Sequence, residues 1–200
     1  MIQIERDKLY SCKKKYLSIC ITKTGEPLNA IAIPWSQHSS AFNMRTPDIF
    51  FCEEDLYDGE ILFQLKSFTI LGLYVFCALK DYNVLGNFSD LQDISLKEAH
   101  NMRDLSFMAN MSDWFMLFIQ GASLPNLDPL MHTEGFKKNR HSYCLGLYDY
   151  HIKDTSSLIN SNLHLYELLI WNKWSKFENE RWRKANALVY HYYRLDSAKN

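Results

Sequence analysis

Glycine is scarce in this sequence, with seven in 200 residues. None stands in a G-x-G or G-x-x-x-x-G-K arrangement, so the usual backbone cradles for phosphate cannot be built and the common mononucleotide and dinucleotide enzymes are excluded. The G-x-S-x-G nucleophile elbow and the H-E-x-x-H zinc helix are also missing. There is no excess of one charge: 22 Lys and Arg stand against 23 Asp and Glu. No global field therefore gathers nucleic acid or an anionic membrane. The most apolar stretch, Ile61 to Leu79, is broken by Gln64 and Lys66 and falls short of the roughly 20 residues a membrane span needs. It is expected to be a buried helix, with no membrane role. The first eight residues lack the basic and apolar regions of a secretory signal. Five cysteines, Cys12, Cys20, Cys52, Cys77 and Cys144, are odd in number and scattered, which fits free buried thiols in a reducing, cytoplasmic compartment better than a disulfide framework.

Apolar material is plentiful. With 47% hydrophobic and 14% aromatic residues, a chain of this length can bury roughly 70% of its unfolded surface without crosslinks. One domain over residues 1–200 is expected, with a β-hairpin region at 1–34 and a helical body at 59–195. The fold class this implies is α+β: predominantly helical, with a short N-terminal antiparallel hairpin or three-stranded sheet packed on five to six helices.

The hairpin rests on Leu17, Ile19 and Ile21, which alternate with Ser18, Cys20 and Thr22, the period of a half-buried strand. Gly25 and Pro27 offer a turn before a second run from Leu28 to Ile33, and Ile2 and Ile4 offer a third strand. Ser95 and Glu98 form a capping-box pattern ahead of Leu96, Ala99, Met102, Leu105, Met108 and Ala109, which predicts a helix running to Gly121. Asp128-Pro129 reads as another helix start. Further helices are expected over Phe136 to Ile152, over Leu163 to Phe177 and from about Glu178 to Leu195. No internal repeat stands out.

Candidate sites are few, and each has an ordinary structural reading. His141 and Cys144 are one helical turn apart, with His132 and His151 nearby, but structural zinc needs four ligands and no second pair is present. No metal is expected. Ser36, His38 and Ser39 place hydroxyls near an imidazole with no acidic partner or oxyanion signature, so no catalytic residue is assigned, and no cofactor is expected. Glu53, Glu54, Asp55, Asp58 and Glu60 concentrate negative charge, which points to a basic partner, although acids also favour first turns of helices and solvated faces. Lys173, Lys176, Arg181, Arg183, Lys184 and Arg194 are interleaved with Trp171, Trp174, Trp182, Tyr190, Tyr192 and Tyr193. Basic groups beside stacking rings suit single-stranded nucleic acid or a protein partner, whereas helical periodicity would bury the tryptophans. The leading functional expectation is a cytoplasmic protein that binds and occludes a partner, as a bacterial immunity or antitoxin-type inhibitor does. The alternatives are nucleic-acid binding through the C-terminal helix, and an enzyme of unfamiliar type using His38 or the His132 to His151 region.

Overall fold

The computed structural model describes residues 9, 12–25, 47–111, 114–133, 143–148, 151–154, 156–157, 165–171 and 191–193, with backbone alone at 143, 165–171 and 191–193. Strands dominate. In chain order they are β1 (Tyr16–Thr22), β2 (Ile49–Cys52), β3 (Thr69–Val75), β4 (Asp93–Leu96), β5 (Met116–Gln120), β6 (Ser123–Leu124), β7 (Tyr143–Tyr148), β8 (His151–Ile152), β9 (Leu165–Trp171) and β10 (His191–Tyr193). Eight of them form one sheet in the order β10-β9-β7-β5-β4-β3-β1-β2, and β6 pairs with β8 separately. Every pairing is parallel. The helices are short: η1 (Glu54–Tyr57), η2 (Tyr82–Asn87) and η3 (Ser106–Asn110) are 3-10 turns, and α1 (Gly59–Leu65) and α2 (Asp128–Met131) are α-helical.

The expected helical α+β architecture with an antiparallel hairpin is therefore overturned, and the protein is not predominantly α-helical. β1 forms where alternation places it, but its partners are β2 and β3, both parallel to it. The run from Leu28 to Ile33 lies outside the described residues. The helix expected over Ile61 to Leu79 stops at Leu65, and Thr69–Val75 continues as a strand rich in β-branched and aromatic residues. Ser95 sits inside β4, so the capping box is not one. The expected helices over Phe136 to Ile152 and Leu163 to Phe177 contain β7, β8 and β9 instead, and β10 falls within the last.

Lateral rows of apolar side chains, aliphatic but for Phe51, explain the sheet. Ile49, Ile19, Leu73, Ile94, Leu117 and Leu145 stand in register across six strands, and Phe51, Ile21, Val75, Leu96, Ile119 and Leu147 form the next row. All twelve belong to one buried core. A one-residue slip of any strand would turn its row to the other face, so the pattern locks the register. β3, β4 and β5 are each followed by a turn of chain whose buried residues recur at roughly every third position: Leu79, Tyr82, Leu85, Phe88 and Leu91 after β3, then Ala99, Met102, Leu105 and Met108 after β4, then Leu124, Leu127 and Leu130 after β5. That is the period of a 3-10 turn. The turns pack on one another, η2 against η3 and η3 against α2. β3, β4, β5, β7, β9 and β10 begin between 22 and 27 residues apart, so this part of the chain adds one strand to the main sheet at near-regular spacing, in the manner of a solenoid, while β6 and β8 pair beside it. Trp114, fully buried before β5, is held by a hydrogen bond from its indole N–H to Thr133 Oγ1 at 3.2 Å.

Only the first crossover breaks the order. The chain leaves β1, forms β2 on one side of it, and returns to form β3 on the other. Asp48 ties the amino ends of β1 and β2 together: its carboxylate accepts from Ser18 N–H at 2.9 Å and pairs with Lys14, while its own N–H donates to the Ser18 carbonyl at 2.7 Å.

Candidate functional site at the carboxyl ends of the strands

The second face of the sheet is not aliphatic. By register, Ser18, Gly72, Asp93, Met116 and Cys144 form one row and Phe50, Cys20, Tyr74, Ser95, Phe118 and Gly146 the next. All of these except half-buried Phe50 are buried. Gly72 has a steric reason. A Cβ there would lie 2.8 Å from both Ser18 Oγ and Tyr74 Oη, so the tyrosine hydroxyl occupies space that any other residue would fill.

At the carboxyl ends this face opens, and Phe76, Lys97 and Tyr148 become half-buried. Phe76 N–H donates to the Ile21 carbonyl and Lys97 N–H to the Val75 carbonyl, each at 2.8 Å, so both residues extend their strands by one rung and share an orientation. Lys97 Nζ stands 4.8 Å from the centre of the Phe76 ring. The next residue, Glu98, has φ of 52°, a conformation unfavourable for a side-chain-bearing residue. It is fixed by flanking hydrogen bonds, His100 N–H to the Glu98 carbonyl and Ala99 N–H to the Gln120 carbonyl, each at 2.8 Å. Lys97 is thus clamped between a buried strand and a pinned turn.

Cys20 and Glu98 act on its charge. Burial, followed by the neighbouring Cys77, pushes the Cys20 thiol up to about 12. Burial also takes Cys77 to about 12, reinforced by the charges of Glu53, Glu98 and Glu54. Cys52 is raised by burial and by the hydrogen bond its Sγ donates to Asp55 Oδ2 at 3.2 Å. Burial lowers the Lys97 ammonium, opposed by Cys20 and Glu98. Raised in this way, the Cys20 and Cys77 thiols form the nucleophilic thiolate less readily than an ordinary cysteine.

The five acids singled out in the sequence take different roles. Asp55 is buried and accepts the Cys52 N–H at 3.0 Å. Asp58 caps α1, accepting from the N–H groups of Glu60 at 2.8 Å and Ile61 at 3.3 Å. Glu54 and Glu60 are exposed and Glu53 is half-buried. Exposed aromatics accompany them: Tyr57 is 38% and Phe63 72% exposed. The basic residues Lys173, Lys176, Arg181, Arg183, Lys184 and Arg194 lie outside the described residues, as do Ser36, His38, Ser39 and His141. Cys144 is buried in β7, and His132 and His151 are exposed. Among the described residues no three His, Cys, Asp or Glu side chains group as metal ligands, and no helix is long and apolar enough to cross a membrane.

Sequence reasoning missed Lys97, Phe76 and Cys20 as neighbours. No local motif links them; only the strand register brings them together. Comparison with protein-family models, curated proteins and solved structures gives no match.

Proposed function

We propose that the protein is a cytoplasmic binding protein that occludes a partner protein, in the manner of an immunity or antitoxin-type inhibitor, and that the segment from Glu53 to Phe63 forms part of its contact surface. The observation that carries this reading is Phe63. A phenylalanine 72% exposed on a seven-residue helix contributes nothing to the core, and aromatic anchors ringed by polar groups dominate protein interfaces. Tyr57 on the adjacent turn and the exposed Glu54 and Glu60 supply the ring, and their charge selects a basic partner and speeds its approach. From β3 onward the main sheet gains one parallel strand every 22 to 27 residues, the build of repeat solenoids, whose stacked turns present extended surfaces to other proteins.

Affinity capture with the intact protein tests this. A stoichiometric protein partner is expected, retained by the wild type, lost with Phe63→Ala, and weakened by Glu54→Lys with Glu60→Lys or by added salt. No stoichiometric partner, or one bound equally by Phe63→Ala, would overturn the reading.

A further inference from the structure

Lys13, Lys14 and Lys15 run directly into the amino end of β1, and all three are exposed. Asp48 pairs with Lys14, whereas Lys13 and Lys15 have no ion pair among the described residues. Lys66, also exposed and without an ion pair, is brought to the same end by the neighbouring strand: Thr69 N–H, three positions further on, donates to the Lys15 carbonyl at 3.0 Å. Runs of lysine are ordinarily solvated surface. Tyr16 sets this one apart. In β1 it alone is exposed, at 55%, while pairing with Thr69 fixes its backbone and the six buried residues that follow anchor the strand. Lys15 Nζ stands 5.8 Å from the centre of its ring. We propose that this end of β1 is a binding surface for single-stranded nucleic acid, in which Lys13, Lys15 and Lys66 contact phosphates and Tyr16 stacks on a base.

Each group suits that partner. Ammonium groups with no carboxylate to give up lose no ion pair when they meet phosphates, and the counterions they displace from the strand drive binding. An exposed ring on an anchored backbone offers a face on which any base can stack, and ordering it costs little conformational freedom. A duplex keeps the faces of its bases covered by their neighbours, so the ring selects the single strand. Three lysines fall short of the cluster of about four to eight that holds a protein to an anionic membrane. An acidic peptide would engage the lysines and leave the ring without a partner. The inference does not rest on the protein-binding surface proposed above, whose exposed Glu54 and Glu60 repel phosphates.

The test uses the intact protein and a short fluorescein-labelled oligothymidylate, read by fluorescence anisotropy. A dissociation constant of about 100 µM or tighter is expected at low salt, and log affinity should fall against log salt with a slope of about −2, from three phosphate contacts at about 0.7 each. Lys13→Glu with Lys15→Glu should weaken binding about tenfold or more and flatten the slope to about −0.7. Tyr16→Ala should weaken it about fivefold or more, and Tyr16→Phe, which keeps the stacking face, should bind as the wild type does. Lys23→Glu, beyond the other end of β1, should change affinity less than about twofold, because salt screens charges at that separation. These side chains are exposed, so unchanged urea midpoints are expected for all four variants. No binding at millimolar protein, or binding that survives Lys13→Glu with Lys15→Glu, overturns the proposal. So does a duplex bound as tightly as the single strand, or polyglutamate that displaces the oligonucleotide at equal concentration of charge.

Discussion

The two faces of the sheet are built from different chemistry although both are buried. One is a pair of apolar rows, aliphatic but for Phe51, from Ile49 to Leu145 and from Phe51 to Leu147. The other carries Ser18, Cys20, Tyr74, Asp93, Ser95, Met116 and Cys144. Parallel sheets are normally covered on both faces and read as continuous apolar runs. Here the first face alone meets that description. The mixed face carries hydroxyls, thiols and a carboxylate, and its carboxyl rim holds Cys20 and Lys97, whose protonation equilibria are displaced.

If the aliphatic face supplies the stability, truncating it should cost most. Ile94→Ala, at the middle of the first row, is expected to lose about 2–5 kcal/mol, read from urea unfolding midpoints. A loss under about 1 kcal/mol would mean that the two faces contribute alike. Gly72→Ala, on the mixed face, is expected to lose about 1–3 kcal/mol by overpacking, because the new methyl meets Ser18 Oγ and Tyr74 Oη. Adding Tyr74→Phe should restore part of that loss, whereas simple additivity would show that the collision is not the cause. Asp58→Ala removes the α1 cap and should cost about 1 kcal/mol by the same measurement. Phe63→Ala should stay within about 0.5 kcal/mol of wild type, so that its effect, if the proposed function holds, is on partner affinity alone.

Alkali sharpens the comparison further. The Cys20 and Cys77 thiols have folded values of about 12 against an ordinary value of 9.0, so the folded state holds its protons where the unfolded chain releases them. The stability they contribute is fully present below pH 9 and is lost as pH rises from about 9 toward 12. Unfolding free energy measured across that window should fall, and Cys20→Ala with Cys77→Ala should flatten the decline. An unchanged slope would place the pH sensitivity elsewhere.

β1 was legible because alternation of Leu17, Ile19 and Ile21 with smaller polar residues has no helical counterpart. Most of the later strands were not, for a physical reason. In a solenoid a short strand of about four residues runs into a 3-10 turn, and Leu91, Ile94, Leu96, Ala99, Met102, Leu105 and Met108 then fall at two- and three-residue steps that overlap the helical pattern. The repeat stayed hidden because equivalent inward residues, Val75, Leu96, Ile119 and Leu147, recur at unequal intervals and share no single residue type. The acidic run was visible as charge. Its division into a buried acceptor at Asp55, a cap at Asp58 and exposed positions at Glu54 and Glu60 was not, since that depends on which backbone amides lie nearby.

The interior position of β1 makes the sheet unequal in what it can lose. Cutting away the strand that comes last, β10, would peel one margin and leave the remaining pairings intact. Cutting away the strand that comes first would instead sever β2 from β3 and split the hydrogen-bonded array internally, so shortened versions of the chain should tolerate trimming from one direction only.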